Sequence, residues 1–363
     1  MPKVKVIVGM SGGVDSSVAA ALLKEEGYEV IGVTMKIWDG GGTISKEGAH
    51  HACYGPGEEE DIKDAQKVAQ ILGIPFYIFN LKQEYKTFVL DYFSHEYLSG
   101  RTPNPCIMCN QRVKFGAMVK KIYDSGIKFD YFATGHYTQV EYDKVRNRYL
   151  LKKARDSRKD QTYFLYSLLQ EQLRHSLFPL GNYTKEEVRT IANSLGFNIN
   201  NKPESQNFIA GGYSSFFESS AQPGPILNKQ GEVLGKHRGI PFYTIGQRKG
   251  LKISSGERLY VSAIDQERNA IVVGRKEELF GEELIAYNLN WIAMKELKKP
   301  IKVKAKIRYL HSEAEVEVIP LDKEKIHVKF REPQMAITPG QAVVFYDGDI
   351  VVGGGVIERR IEQ

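Results

Sequence analysis

The sequence predicts an α/β protein in which an open parallel sheet at the N-terminal end is followed by a small central domain and a C-terminal β-barrel. Three observations carry this. Short apolar runs alternate with helical patterns over the first 150 residues, the signature of βα units. From about Pro203 glycine and proline become frequent and helical periodicity fades. Beyond Leu284 alternating runs follow one another between turn residues. With 363 residues, 42% hydrophobic and 26% charged, the chain is long and apolar enough for two or three domains and is neither disordered nor collagen-like.

Val4 to Val8 and Glu29 to Met35 read as strands. Between them Ser16 to Glu26 carries Val18, Leu22 and Leu23 at helical spacing, and Gly27 ends the helix. A second helix, Glu58 to Leu72, places Ile62, Ala65, Val68, Ala69 and Leu72 on one face before Gly73 stops it, and Phe76 to Phe79 resumes as a strand. A helix over Gln83 to Tyr97, a Pro-rich loop over Thr102 to Pro105, a helix over Val113 to Tyr123 and a strand over Tyr131 to Thr134 complete the pattern. At the other end Ile301 to Tyr309, Ala314 to Ile319, Lys325 to Phe330, Ala342 to Tyr346 and Ile350 to Ile357 read as five strands. The expected domains are 1–203, 204–280 and 281–363. No apolar run reaches the ~18 residues that cross a bilayer, and Met1-Pro2-Lys3-Val4 leads into a strand without a signal-peptide pattern, so the expected location is the cytoplasm. The net charge of +6 decides little by itself.

Gly9-Met10-Ser11-Gly12-Gly13-Val14-Asp15-Ser16-Ser17 joins the first strand to the first helix, where backbone amides and the helix dipole converge on an anion. It lacks the lysine of the Gly-x-x-x-x-Gly-Lys loop, and it is not Gly-x-Gly-x-x-Gly. Glycines let phosphates approach, Ser11, Ser16 and Ser17 can donate hydroxyls, and Asp15 can hold Mg²⁺ beside them. The competing reading is a plain strand-to-helix turn with capping serines. The three cysteines, Cys53, Cys106 and Cys109, are too few for a secreted disulfide framework and read as chemical groups.

Ser11 to Ser17 resembles the pyrophosphatase loop of ATP-pyrophosphatases. Together with Thr102-Pro103-Asn104-Pro105, Cys109-Asn110, Lys114-Phe115, Thr134-Gly135-His136-Tyr137, Lys159 to Phe164, Gly235 to Gly239, Tyr243 to Leu251 and Lys306 to Tyr309, it is similar, in order, to the motifs of tRNA 2-thiouridylases. The likeness covers nearly the whole chain. It implies an adenine-nucleotide-hydrolase-like sheet, a small central domain and a barrel, and an enzyme that uses ATP and Mg²⁺ to replace O2 of the wobble uridine of tRNA with sulfur. It implies that Gly9 to Ser17, Met35 and Gly135 bind ATP, that Asn104 to Cys106 face the base, and that His136, Lys159, Asp160, Gln161, Arg308, Tyr309 and Gln341 touch tRNA. Each of the last group also reads as an ordinary loop or surface residue.

Two departures bear on mechanism. The family pattern Pro-Asn-Pro-Asp-x-x-Cys is here Pro-Asn-Pro-Cys106-Ile107-Met108-Cys109. After Glu204-Ser205-Gln206 the chain continues Asn207-Phe208-Ile209-Ala210, without the family's second cysteine. A two-cysteine persulfide scheme cannot run at those positions. The strand-end loop of Cys53 and the Cys106/Cys109 loop are expected to meet over the sheet. Three thiolates there suit a [4Fe–4S] cluster with one iron open to a sulfide. Zinc completed by His50 or His51, a Cys109 persulfide favoured by a position just before the helix at Val113, and inert thiols are the rivals. The partners expected are tRNA and a sulfur donor, either sulfide or a cysteine-desulfurase relay. Catalysis is expected from Cys109, Cys106 and Asp15. The same chemistry at another RNA position, or an RNA-binding or sulfur-carrier protein without turnover, are the alternative functions; the intact Asp15 loop argues against the last.

Lys302, Lys304, Lys306 and Arg308 alternate with aliphatics and form a basic stripe, or else a solvated strand face. Lys152, Lys153, Arg155, Arg158 and Lys159 form a second cluster able to meet RNA phosphates. Lys236, His237, Arg238, Arg248 and Lys249, with Phe242 and Tyr243, are expected to offer cations and stacking surfaces.

Overall fold

Hydrophobic strands buried on both faces organise the N-terminal part. In the computed structural model, which describes residues 3–40, 52–197, 207–209, 213–217, 220–253 and 256–361, five parallel strands line up. They are β1 (Lys5–Gly9), β2 (Glu29–Lys36), β3 (Phe76–Asn80), β4 (Tyr131–Thr134) and β5 (Ser176–Leu177), in the order β3-β2-β1-β4-β5. Val6, Ile7 and Val8 of the central strand are wholly buried, and full burial of side chains this size contributes about 2 kcal/mol each. Helices α1 (Val14–Glu25), α2 (Glu58–Leu72) and α3 (Lys185–Ser194) share one core, in which Val18, Ala19 and Leu22 meet Ala65, Val68, Val188 and Ala192. The strand order reverses at β1, between β2 and β4, which opens a crevice at the carboxyl ends of the strands, where ligands bind in such sheets.

The chain divides into two compact units. The first holds Met1–Val89, Cys106–Tyr213 and Gly348–Val351; the second holds Leu90–Pro105, Ser214–Asp347 and Val352–Gln363. In the second, a four-stranded sheet orders Val233–His237, Gly224–Leu227, Ala270–Gly274 and Tyr260–Asp265. A six-stranded barrel runs Phe280–Trp291, Ile326–Met335, Ala314–Pro320, Ile301–Lys306, Ala342–Asp347 and Ile350–Ile361, and the first strand pairs with the last to close it. Leu284, Ala305, Val316, Val318, Val328, Phe345 and Ile357 fill its interior.

Several elements differ from the sequence reading. The barrel has a sixth strand, Phe280–Trp291, whose Asn and Gly residues mask its alternation, and Thr138–Asp143 with Arg148–Lys153 forms a hairpin that the reading left out. Helix begins at Pro105, not Val113, and runs through Pro105–Met108, Cys109–Met118 and Val119–Asp124, the middle part with wide turns. A proline at a helix start has no N–H to lose and a preset φ. The Cys106/Cys109 pair is therefore helical and not in a loop. His50, His51 and the stretch from Glu204 to Gln206, invoked for a zinc ligand and for the missing cysteine, lie outside the described residues.

Gly12 has φ +74°, and a Cβ there would stand 2.2 Å from the carbonyl oxygen of Asp61. Gly12→Ala is expected to destabilise the ligand-free protein by more than about 2 kcal/mol, read as a lowered melting temperature without nucleotide.

Candidate active site

The loop after β1 is tied by its own hydroxyls. Ser16 Oγ accepts from Ser11 N at 3.1 Å and donates to Gly13 O at 3.2 Å, while Ser17 Oγ donates to Gly13 O at 2.9 Å. Ser17 is fully buried, and its hydroxyl is spent on fastening the turn. Ser11 is exposed, Gly13 and Asp15 are half-buried, and the first-turn amides of α1, which lack intrahelical acceptors, begin here. Met10 is buried as packing, its sulfur 2.7 Å from where a Cβ on Gly32 would stand. Gly135, at the end of β4, touches the same turn: a Cβ on it would fall 2.6 Å from Ser16 N and 2.7 Å from the Asp15 carbonyl carbon. Met35 is half-buried at the end of β2, and the amides of Ile37 and Trp38 just beyond it donate to Glu58 Oε1 at 2.6 and 2.9 Å. Burial raises the pKa of Glu58 above the usual carboxylate range. Gly9 to Ser17, Met35 and Gly135 thus gather at the carboxyl ends of β1, β2 and β4.

The Asp15 carboxylate is paired within the first unit. Lys185 Nζ, on a side chain 9% exposed, donates to both its carboxylate oxygens at 2.7 Å, and Tyr137 OH donates to Oδ1 at 2.8 Å. Asp15, expected to stand beside Mg²⁺ and the phosphates, thus already has a cation of the protein's own alongside it. Lys185 is the first residue of α3, behind a capping box in which Thr184 Oγ1 accepts from Glu187 N and the Glu187 carboxylate accepts from Thr184 N. Neither Lys185 nor Glu58 carried a local motif, and Lys185 meets a partner 170 positions away in the chain.

The three thiols lie in the first unit. Cys53 sits exposed on the short strand Ala52–Tyr54, which pairs in parallel with Asn207–Ile209, within the very stretch that lacks the family's downstream cysteine. Cys106 is half-buried and Cys109 buried. Burial, then the charges of Cys53 and Cys109, push the Cys106 thiol up to about 12, against the pull of Lys114. Burial pushes Cys109 up to about 11, with Lys114 opposing and Cys53 adding. The helix-terminus effect expected to favour a Cys109 thiolate is thereby corrected, since Cys109 lies inside the helix. Tyr85, wholly buried and stacked on Tyr54 at 5.5 Å, feels the charge of all three. In donor chemistry the set suits a soft metal centre. In arrangement it does not hold one as it stands: among the described residues no three His, Cys, Asp or Glu side chains are placed to grip a metal ion.

Among the residues expected to face RNA, Asn104 and Pro105 belong to the second unit and are half-buried. His136 is held by Thr134 Oγ1 at 2.7 Å, and burial drives its pKa well below the usual value, so it is neutral near pH 7. Asp160 is buried, accepting from Ala154 N and Thr162 Oγ1, so its carboxylate holds the loop together. Gln161 Oε1 accepts from Tyr137 N at 2.9 Å and so positions the tyrosine that holds Asp15. Lys159 N donates to Asp156 O in the same turn. Arg308 and Tyr309 lie in the turn after Ile301–Lys306, and Arg308 Nη2 donates to Ile245 O, Ala336 O and Thr338 Oγ1. Gln341 Nε2 donates to Thr102 O and Pro103 O.

The basic clusters are more neutral than their sequence. Lys302 and Lys304 stand opposite Glu317 and Glu315 on the neighbouring antiparallel strand. Lys152 pairs with Glu141 and Asp349, and Arg155 with Glu187. Phe242, Tyr243 and His237 are buried, so they are core and not stacking surfaces.

A glycine and hydroxyl turn feeding a helix at the switch point of a parallel sheet, followed by two β modules, defines a nucleotide-loop α/β protein with appended β domains. Family models match in three stretches: a tRNA methyl transferase HUP domain over residues 4–210, a tRNA methyl transferase PRC-barrel domain over 217–275 and an aminomethyltransferase β-barrel domain over 281–357. The tRNA-specific 2-thiouridylase MnmA of Acetivibrio thermocellus is 51% identical over 99% of this chain and 100% of its own length. The tRNA-specific 2-thiouridylase MnmA 2 of Caldanaerobacter subterraneus is 52% identical over 98% of both. The chain belongs to the tRNA-specific 2-thiouridylase family.

Two outcomes test this geometry. Lys185→Met leaves the Asp15 carboxylate without its cation and is expected to cost about 2 kcal/mol in thermal melts, most of it recovered in the Asp15→Asn, Lys185→Met double variant. With pKa values raised to about 12 and 11, Cys106 and Cys109 in metal-free protein are largely protonated at pH 7. Alkylation followed by mass spectrometry is expected to mark Cys53 first, and the rates at Cys106 and Cys109 to rise about tenfold per pH unit from pH 7 to 10.

Proposed function

We propose that this protein is an ATP-dependent sulfurtransferase that converts the wobble uridine of tRNA to 2-thiouridine. ATP lies with its phosphates on Gly9 to Ser17, and Lys185 keeps the Asp15 carboxylate from repelling them. The uridine O2 attacks the α-phosphate, pyrophosphate leaves, and the base carries an adenylated oxygen. Sulfur then attacks C2, and AMP departs with the former O2. Asn104 and Pro105 position the base, while His136 and Tyr309 face the RNA as neutral groups. The place of action is the cytoplasm, with the tRNA.

The sulfur is handled at Cys53, Cys106 and Cys109. The observation that carries this is the pairing of the Cys53 strand with Asn207–Ile209, which brings a thiol beside the stretch where relatives of the usual pattern keep one. The three thiols are the donor set that would hold a [4Fe–4S] group, which would supply an iron site for sulfide when bound.

The test combines purified protein, unmodified tRNA, Mg·ATP and a sulfide source, read by nucleoside mass spectrometry and by pyrophosphate release. One 2-thiouridine is expected per tRNA and per pyrophosphate, lost on substituting alanine for any of the three cysteines. Protein purified without oxygen is expected to contain about four iron and four sulfide per chain. Full activity in Cys53→Ala overturns the three-thiol reading. Activity with sulfide but without metal overturns the cluster reading; activity only with a sulfane-sulfur donor, such as a cysteine-desulfurase relay, and a thiol to reduce the disulfide left after transfer moves the chemistry to a Cys109 persulfide; and a thiolated base elsewhere in the RNA changes the substrate position.

A further inference from the structure

Two residues that the family resemblance assigns to tRNA, Arg308 and Gln341, lie at a junction inside the second unit. Three segments of that unit converge there: Thr102 and Pro103, the Thr244–Ile245 stretch of the central module, and the Ala336–Gln341 turn of the barrel. Thr102 N donates to Pro339 O at 2.9 Å, and the Thr102 and Thr244 hydroxyls lie 3.3 Å apart. Gln341 Nε2 donates to Thr102 O at 2.8 Å and to Pro103 O at 3.3 Å. Only the amide nitrogen can face two carbonyl oxygens, so the side-chain orientation is set by its partners. A Cβ on Gly340 would fall 2.9 Å from Thr102 N, so backbone meets backbone here.

The residue before this segment is bolted as well. Arg101 Nε donates to Glu96 Oε2 at 2.8 Å, and Nη2 donates to Tyr287 OH at 2.9 Å and Ile357 O at 3.3 Å, with the guanidinium 5.5 Å from the Tyr287 ring centre. On the far side Arg308 Nη2 ties Ile245 O to Ala336 O and Thr338 Oγ1. Ala336 has φ +56°, a conformation that costs free energy for alanine and persists only where its surroundings hold it.

We propose that Gln341 and Arg101 are positioning residues: they clamp Thr102 and Pro103 to the barrel, and so set where Asn104 and Pro105 are presented. The clamp concerns the chain itself. Its catalytic consequence rests on the function proposed above. A purely RNA-contacting Gln341 would change affinity for tRNA and leave the Thr102 backbone alone. A positioning Gln341 changes turnover and the local backbone together.

The experiment uses the full-length protein. Gln341→Met keeps length and removes the donor; Arg101→Lys keeps the charge toward Glu96 and removes the fork onto Tyr287 and Ile357. Each is followed by hydrogen exchange of the peptide containing Thr102, by tRNA affinity and by single-turnover thiolation. The expected result is exchange at Thr102 faster by about tenfold with far barrel strands unchanged, thiolation slower by about tenfold, and tRNA Kd within about twofold. A tRNA Kd weakened about tenfold with Thr102 protection unaltered in both variants overturns the proposal in favour of direct RNA contact. Unaltered exchange and unaltered rate overturn it as well. If Gln341→Met does not fold, Arg101→Lys decides by the same readings. Exchange reports the clamp whether or not the chain thiolates RNA, so failure of the clamp and failure of the proposed function are separable.

Discussion

The ion pair between Asp15 and Lys185 is the constraint around which the first unit is built. A carboxylate in the first turn of α1, beside a loop shaped for phosphates, would repel a triphosphate unless a cation accompanied it. The ammonium comes from the start of α3, a helix fixed by its own capping box and packed through Val188 and Ala192 against α1. Tyr137 adds a neutral donor to the same carboxylate, and Gln161 holds the Tyr137 backbone. Gly135 lets β4 approach the same turn with no side chain between. Three distant stretches of sequence are therefore committed to one carboxylate, and the strand order that places β4 beside β1 makes the commitment possible.

The thiols pose the opposite problem. Phosphates need compensating charge and receive it, whereas Cys106 and Cys109 lie where burial disfavours the thiolate, against the pull of Lys114. A free thiolate nucleophile is poorly served by such surroundings. A group that brings its own positive charge is well served, because metal binding displaces the thiol protons. The Cys53 strand is laid beside Asn207–Ile209, and in the function proposed above it is the source of the third sulfur.

The parallel sheet and the barrel were legible because their signals are local: apolar runs of strand length, helical spacing in Glu58 to Leu72, a glycine at φ +59° closing that helix at Gly73, and the turn residues of the last third. The phosphate loop was legible for the same reason, being a continuous motif. What escaped is non-local or compensated. Lys185 resembles any surface lysine until α3 is docked. The lysines of Ile301–Lys306 form a basic stripe only while Glu315 and Glu317 are out of view, and cross-strand pairing brings them alongside. Phe242 and Tyr243 read as stacking surfaces because aromatic residues near arginines look alike in sequence whether the ring is bare or buried. Pro105 was taken as a loop residue, though a proline at a helix start is compatible with both readings.

Residues matched to a function by motif can reach it indirectly. Asp160, Gln161, Arg308 and Gln341 all lie in stretches that the resemblance assigns to RNA, and each spends hydrogen bonds on backbone groups of its own unit. A side chain so occupied keeps its place whether or not RNA is present, which means the surface it underlies is preorganised and little ordering entropy remains to be lost on binding. In the function proposed above, affinity would come from the shape these residues maintain as well as from atoms that touch the nucleic acid. The turn that carries Gln341 also holds the backbone two residues before Asn104, so on that reading a barrel that engages RNA without distortion would keep Asn104 and Pro105 in register.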